Sequence, residues 1–256
     1  LRDDWREYWE RRPGESGDFA WLGHGNVVEL RKNAEEWHRK RFAEALRPDT
    51  VWIMLDAGCG AGDEILRFHD SVRQMVGMDF SVKMLKVCRE RLKRLGVSNA
   101  VLIAGDTRAL PFKSGVFDGC LCMGVLQFMD GQDAELAVKE LSRVTTERML
   151  LHGKNSFSPF GLQLRLAENL FERVRNRLPY DHHRPLWWYR RMFGKFGCLN
   201  RQFTIGLWVP QLPDDAKSIV GSVEILASSL GLNHPFGKEY YVVVSVKGHE
   251  RERSRE

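Results

Sequence analysis

The sequence predicts an α/β protein: a doubly wound, mostly parallel sheet of seven strands, with N-terminal helices and a helical insertion after the fifth strand. Two observations carry this expectation. From Val51 to Gly153 short β-rich runs alternate with segments of helical period, the signature of βαβ units. The first of these runs passes straight into a glycine-rich turn and then a helical period, in MLDAGCGAGDEILRF. The 256 residues are 43% hydrophobic and 29% charged, with a formal net charge of +5, which excludes a disordered or collagen-like chain. The longest apolar runs, VWIML and YYVVVSV, fall far short of the roughly 20 residues that a membrane-spanning helix needs.

Two helices are expected first, DDWREYWERR, stopped by Pro13 and Gly14, and NAEEWHRKRFAEAL, with Asn33 as N-cap and Trp37, Phe42, Ala45 and Leu46 as its inward stripe. Five strands follow at VWIMLD, QMVGMD, AVLIAG, FDGCLCMG and ERMLLHG. Leu85, Cys88, Leu92 and Leu95 recur at helical spacing between the second and third, and Ala134, Ala137, Val138 and Leu141 between the fourth and fifth. After Gly153 the alternation breaks. A helical stripe runs through Phe160, Leu164, Ala167, Leu170, Phe171, Val174 and Leu178, followed by the aromatic block LWWYRRMFGKF. The remainder reads as a strand in LNRQFTIGLWV, a helix in DDAKSIVGSVEILASSLG and a last strand in EYYVVVSVKG.

Five cysteines (Cys59, Cys88, Cys120, Cys122 and Cys198) are odd in number and lack CxxC or Cys/His ligand spacing. No disulfide framework and no metal site is expected. With no charged-then-apolar leader at the start, this fits a reducing compartment, and a cytoplasmic location is expected.

The glycine turn separates two ligand classes. Closely spaced glycines let the backbone approach a ligand and adopt positive φ without a Cβ penalty. A dinucleotide fingerprint beginning at Gly58 wants glycine at 58, 60 and 63, but position 63 is Asp and the third glycine is Gly62. A carboxylate at the helix start that receives a pyrophosphate would repel it. Asp79 ends the second strand 21 positions after Gly58, where a carboxylate can accept hydrogen bonds from two ribose hydroxyls. The bland alternative for Asp79 is a helix cap formed together with Ser81.

In LDAGCGAG, followed by MVGMDFS, AGDTRALPF and FDGCLCMGVLQFM in that order, the chain resembles the class I S-adenosylmethionine-dependent methyltransferases. The resemblance is strong over residues 51 to 130 and topological for 131 to 155 and 198 to 247. It implies five parallel strands, a sixth, and an antiparallel seventh inserted beside it, with S-adenosyl-L-methionine as cofactor. Asp56 would orient the cofactor's amino group, and Ala57, Gly58, Cys59, Gly60 and Gly62 would lie along its methionine portion. Asp79 would hold the ribose, with Phe80 and Met84 flanking the adenine. Gly105, Asp106 and Thr107 would meet the adenine edge. Met123 and Gly124 mark the place where cofactor and acceptor meet, and Gln127 would orient the acceptor.

A sulfonium methyl is already activated, so the protein's main task would be alignment of the nucleophile for in-line attack. A hydroxyl or carbon nucleophile can still require a general base, and His183 and His152 are the candidates. Between Arg165 and Arg201 stand nine Lys or Arg against three carboxylates, a net of +6. With Trp187, Trp188 and Tyr189 this suggests a lid over an apolar, anionic small-molecule acceptor, Trp187 and Tyr189 touching it, or a helix resting on an acidic membrane surface. The competing explanation is a helical layer with a solvated basic face and a buried aromatic side. RNA is the other polyanion. A pI near 9.0 permits it, while the modest net charge and the lack of an appended RNA-binding module stand against it.

The expected organisation is an N-terminal helical lid at 1–50, a cofactor-binding α/β core at 51–155, a helical substrate lid at 156–197, the closing strands and helix of the core at 198–248, and a tail at 249–256. The leading function is methyl transfer to a small-molecule or lipid-like acceptor. A non-catalytic S-adenosylmethionine-binding partner protein and an RNA methyltransferase are the alternatives.

Overall fold

A computed structural model describes residues 9–10, 39–157, 182–205 and 239–246. The expected helix at 214–231, the stripe from Phe160 to Leu178, most of the first expected helix and the tail lie outside these residues. The described chain forms one seven-stranded sheet built from β1 (Ile53–Ala57), β2 (Gln74–Asp79), β3 (Ala100–Ala104), β4 (Phe117–Cys122), β5 (Thr145–Lys154), β6 (Gly197–Ile205) and β7 (Glu239–Val246). Its order is β3-β2-β1-β4-β5-β7-β6. The first five strands pair in parallel, and β7 runs antiparallel between β5 and β6. Strand β1 begins two residues later than the apolar run VWIML suggests. Trp52 precedes it, with its carbonyl accepting from the N–H groups of Arg73 and Gln74 at the start of β2.

Alternating residues of the strands feed two cores, one on each face of the sheet. On one face Leu55, Ala57, Met149, Leu151, Tyr240, Val242 and Val244 pack with α3 (Gly131–Val144) and α4 (Leu186–Phe193). On the other, Met54, Met75, Leu121, Leu150, Tyr241 and Val243 meet α1 (Asp63–Phe68), α2 (Val82–Arg94) and the helical residues 39–46, through Phe42 and Leu46. The expected inward stripe of α2 is buried as far as Leu92 and that of α3 throughout, to Leu141, whereas Leu95 is 56% exposed beyond the end of its helix.

Local chemistry sets the helix starts. Ser81 caps α2 by accepting from the Met84 N–H at 3.2 Å, and Asp130 caps α3 through the N–H groups of Gln132 and Asp133. The helix-cap alternative for Asp79 holds in part: Ser81 is the N-cap residue, and Asp79 accepts the Ser81 N–H at the head of α2. Parallel pairing brings the carboxyl ends of β1 to β5 to one edge of the sheet. There β1 is flanked by β2 on one side and β4 on the other, which makes this the topological switch point.

Candidate active site

At the switch point, the loop after β1 is shaped by its neighbours. Gly58 has φ +82°, and a Cβ on it would lie 2.2 Å from Val125 Cγ2. Gly62 has φ +86° and stands as the N-cap of α1, where a Cβ would meet Cys88 Sγ at 2.5 Å. No side chain but hydrogen fits either place. The loop's N–H groups turn inward. Gly58 and Cys59 donate to the Met78 carbonyl, Gly62 donates to Cys59, and Gly60 donates to Asp79 Oδ2 at 2.9 Å. A pyrophosphate cradle needs such groups aimed at the ligand, so this loop is a poor one. Asp63, the first residue of α1, pairs with Arg91 at 2.6 Å, which fixes a carboxylate where a dinucleotide phosphate would have to sit.

Asp79 sits at the end of β2 and is 8% exposed. Its Oδ1 accepts from the Ser81 N–H at 2.8 Å while Oδ2 holds Gly60, so the carboxylate joins the glycine loop to the head of α2. Burial raises its pKa, and the N–H groups of Ser81, Gly60 and Phe80 pull it back only in part. Met84, in the first turn of α2, is close enough that a Cβ on Gly60 would touch its Cε at 3.5 Å. Phe80 is half-buried beside it.

Asp56 is the unusual group. It is 1% exposed, on the same face of β1 as Met54, and neither carboxylate oxygen has a hydrogen-bond partner. Burial pushes its pKa well above the usual carboxylate range, and Glu64, Cys88, Asp79 and Asp63 add to the shift. A buried carboxylate of this kind is costly unless something positive or hydrogen-bonding approaches it.

Gly105 follows β3, its N–H donating to the Asp79 carbonyl, and Thr107 is buried in the turn closed by the Asp106–Ala109 bridge. After β4, Met123 and Gly124 are partly exposed; Gly124 has φ +68°, and a Cβ there would meet nothing within 4 Å. Gln127 is buried in a 3-10 turn, Leu126–Phe128, with no partner for its Oε1. The structure therefore brings the predicted residues of four strand ends together along one edge.

The aromatic and histidine expectations fare differently. Tyr189 is fully buried. Its hydroxyl accepts from the Lys154 N–H at 3.1 Å and donates to the Lys154 carbonyl at 3.2 Å, and its ring lies against Gly153. It is a core residue of α4, not a surface for an acceptor, and α4 itself is part of the core rather than of a lid. Trp187 points away from that core and is 62% exposed. His152, at the end of β5, accepts the Gly124 N–H on Nδ1 at 3.0 Å and stacks on Tyr241. Since that backbone N–H can only donate, Nδ1 is the accepting nitrogen and the neutral ring carries its proton on Nε2. His152 supports Gly124 through this bond. His183 stands in the segment 182–185, which is stitched to the site by His182 N–H donating to the Gln127 carbonyl at 2.7 Å.

Sequence reasoning passed over several residues. Arg184 donates to the carbonyls of Leu126 and Met129 and lies over the Trp188 ring at 4.3 Å. Arg108 holds Asp106. Near the start of the chain, the Glu10 carboxylate accepts from the Val82 N–H at the head of α2, and Trp9 packs edge-on to Phe128. Only the Asp-x-Arg spacing of residues 106 to 108 carried a local signal; the other contacts join positions far apart in the chain.

Residues 54–148 match the family described as "Methyltransferase domain". A malonyl-[acyl-carrier protein] O-methyltransferase from Erwinia pyrifoliae is 34% identical over 106 residues, 41% of this chain and 38% of that protein. A demethylmenaquinone methyltransferase from Lactococcus lactis is 37% identical over 96 residues, 36% of this chain and 38% of that protein. The chain thus spans less than half the length of these curated relatives. Among solved structures, the magnesium protoporphyrin IX methyltransferase of Synechocystis, determined with bound SAH, superposes with a TM-score of 0.65 at 15% identity, covering 96% of this chain and 100% of that one. Residues 54–148 thus match a methyltransferase domain, and the sheet that contains them has the class I methyltransferase fold.

Proposed function

We propose that this chain is an S-adenosylmethionine-dependent methyltransferase acting on a small-molecule or lipid-like acceptor. The observation that carries the reading is the pair of buried aspartates flanking an inward-turned glycine loop, Asp56 with no partner and Asp79 bound to Gly60. The residues present fit the cofactor. An orphaned carboxylate suits an ammonium group, a second carboxylate at the β2 end suits ribose hydroxyls, and Gly124 leaves open space beside them. When bound, S-adenosylmethionine would supply an activated methyl group for transfer to the acceptor's nucleophile.

The chain's own part is to bind, orient and exclude water. Asp56 takes the cofactor's ammonium group and Asp79 its ribose hydroxyls. Asp106 and Thr107 take the base edge, with Phe80 and Met84 alongside, and His152 holds the Gly124 backbone at the junction with the acceptor. Gln127 and Trp187 are proposed to meet the acceptor, and His183 to serve as base where one is required. The names of the relatives, a malonyl-carrier methyltransferase and a demethylmenaquinone methyltransferase, support a metabolite acceptor. Among the described residues no helix is long and apolar enough to cross a membrane. The four buried cysteines are all free, which supports a reducing, cytoplasmic setting.

Calorimetric titration with S-adenosylmethionine, S-adenosylhomocysteine and NAD in parallel tests this reading. Micromolar binding of the first two and none of NAD is expected. Binding of NAD alone would replace methyl transfer with hydride chemistry.

A further inference from the structure

The carboxylate at the turn after β3 is held by a single side chain. Asp106 Oδ1 accepts from the Arg108 backbone N–H at 2.9 Å and from Arg108 Nε at 3.1 Å. Its Oδ2 accepts from Nη2 at 2.7 Å, with Nε shared at 3.2 Å. The other arm of the guanidinium, Nη1, reaches Asp133 Oδ2 at 2.8 Å in the first turn of α3. A guanidinium is planar and its donors form a rigid fork, so this one residue fixes the plane of the carboxylate as well as its charge. Partial burial alone would raise the Asp106 pKa; the side-chain and backbone bonds from Arg108 outweigh it and hold the group below its usual range. The Asp106 side chain remains 35% exposed, so acceptor capacity stays open on its outer edge.

We propose that Arg108 is a specificity-determining positioning residue, which locks Asp106 as an ionised, acceptor-only group and so makes the base pocket select a 6-aminopurine over a 6-oxopurine. The inference rests on the cofactor reading above. A 6-aminopurine offers an N–H at the position a fixed carboxylate faces. A 6-oxopurine offers a lone pair there, and two acceptors meet with no proton between them. A carboxylate free to turn aside or to take up a proton would tolerate the oxo form. Rejection by a buried polar partner that finds no complement is the strong kind of discrimination, and a lost charge-assisted hydrogen bond corresponds to on the order of 10- to 100-fold in affinity.

The test is calorimetry on the full chain with S-adenosylhomocysteine and S-inosylhomocysteine, at pH 5 and pH 8. The unaltered chain is expected to prefer the adenosyl ligand by at least about 10-fold at both pH values. Arg108→Ala is expected to bring that preference below about threefold at pH 5, where the released Asp106 can take up a proton, and to leave more of it at pH 8. Arg108→Lys keeps the charge without the fork, so an intermediate preference is expected, and this variant decides the matter should Arg108→Ala fail to fold. Equal weakening of both ligands, with the preference and its pH independence intact, would show a merely structural role and overturn the proposal. Failure of the unaltered chain to bind S-adenosylhomocysteine would instead overturn the cofactor reading and the proposal with it.

Discussion

Asp56 is the residue where stability and ligand binding pull in opposite directions. Glu64 and Asp63 face it from α1, Cys88 from α2 and Asp79 from β2, and none of these offers positive charge. Its raised pKa means that the native state keeps a proton which the unfolded chain gives up above about pH 3.9. The native state then binds more protons than the unfolded one, so stability falls as pH rises through that window, by up to about 1.4 kcal/mol per pH unit. Asp56→Asn removes this slope. Denaturant unfolding at pH 5 and pH 8 is expected to show the variant gaining on the parent chain as pH rises. The same substitution is expected to weaken S-adenosylmethionine by about 10- to 100-fold, since a charged acceptor is lost. Binding to the parent chain is expected to release a proton, read by calorimetry in buffers of different ionisation enthalpy, because an approaching ammonium favours the ionised carboxylate. Individual residues were legible where the motif fixes them against the backbone, as at Gly58, Gly62 and Asp79. His152 was not, because its tautomer is decided by an N–H donated from Gly124, 28 positions earlier.

Among the elements, α4 separates what periodicity can tell from what it cannot. The stripe Trp188, Tyr189, Met192 and Phe193 announces a helix with one apolar face, and that helix is present at Leu186–Phe193. Periodicity does not name the surface that the face covers, and here it is the sheet at β5 and β7, where Tyr189 lies against Gly153 and Tyr240. Tyr189→Phe is expected to cost about 1–2 kcal/mol, by removing the hydroxyl that serves both polar groups of Lys154. Tyr189→Ala is expected to cost about 3–5 kcal/mol through the cavity it leaves. Trp187→Ala, one position earlier but 62% exposed, is expected to stay within about 0.5 kcal/mol of the parent in stability while raising the KM for the acceptor. Thermal melts alongside steady-state kinetics distinguish the two positions. Loss of stability at Trp187, or an effect of Tyr189→Phe on KM alone, would reverse their assignments.

At the scale of the whole fold, the described residues form a sheet with a core on each face, and the edge proposed to hold the ligand lies at the carboxyl ends of the neighbouring strands β1 and β4. The strands were legible because parallel strands buried on both faces read as apolar runs, and glycine and aspartate punctuate their ends, whereas the antiparallel placing of the last strand came only with the family resemblance. The reach of Glu10 to the head of α2 and of Arg184 to the carbonyls of Leu126 and Met129 was not, since it depends on the closed fold. A ligand spanning this edge would touch loops that follow β1, β2, β3 and β4, each rooted in the core, so its binding energy adds to the stability of the entire sheet. A ligand at 100 times its Kd stabilises the native state by about 2.7 kcal/mol. In a chain of this size that corresponds to a rise in Tm of roughly 5–11 °C. S-adenosylhomocysteine is expected to give that rise and NAD none, because the inward-turned N–H groups and Asp63 leave no place for a pyrophosphate. Asp79→Ala is expected to forfeit most of the rise at the same ligand concentration, as Asp79 joins two of the four loops directly. A full shift in a folded Asp79→Ala protein would mean that the ligand sits elsewhere on the molecule, and the assignment of this edge would fall.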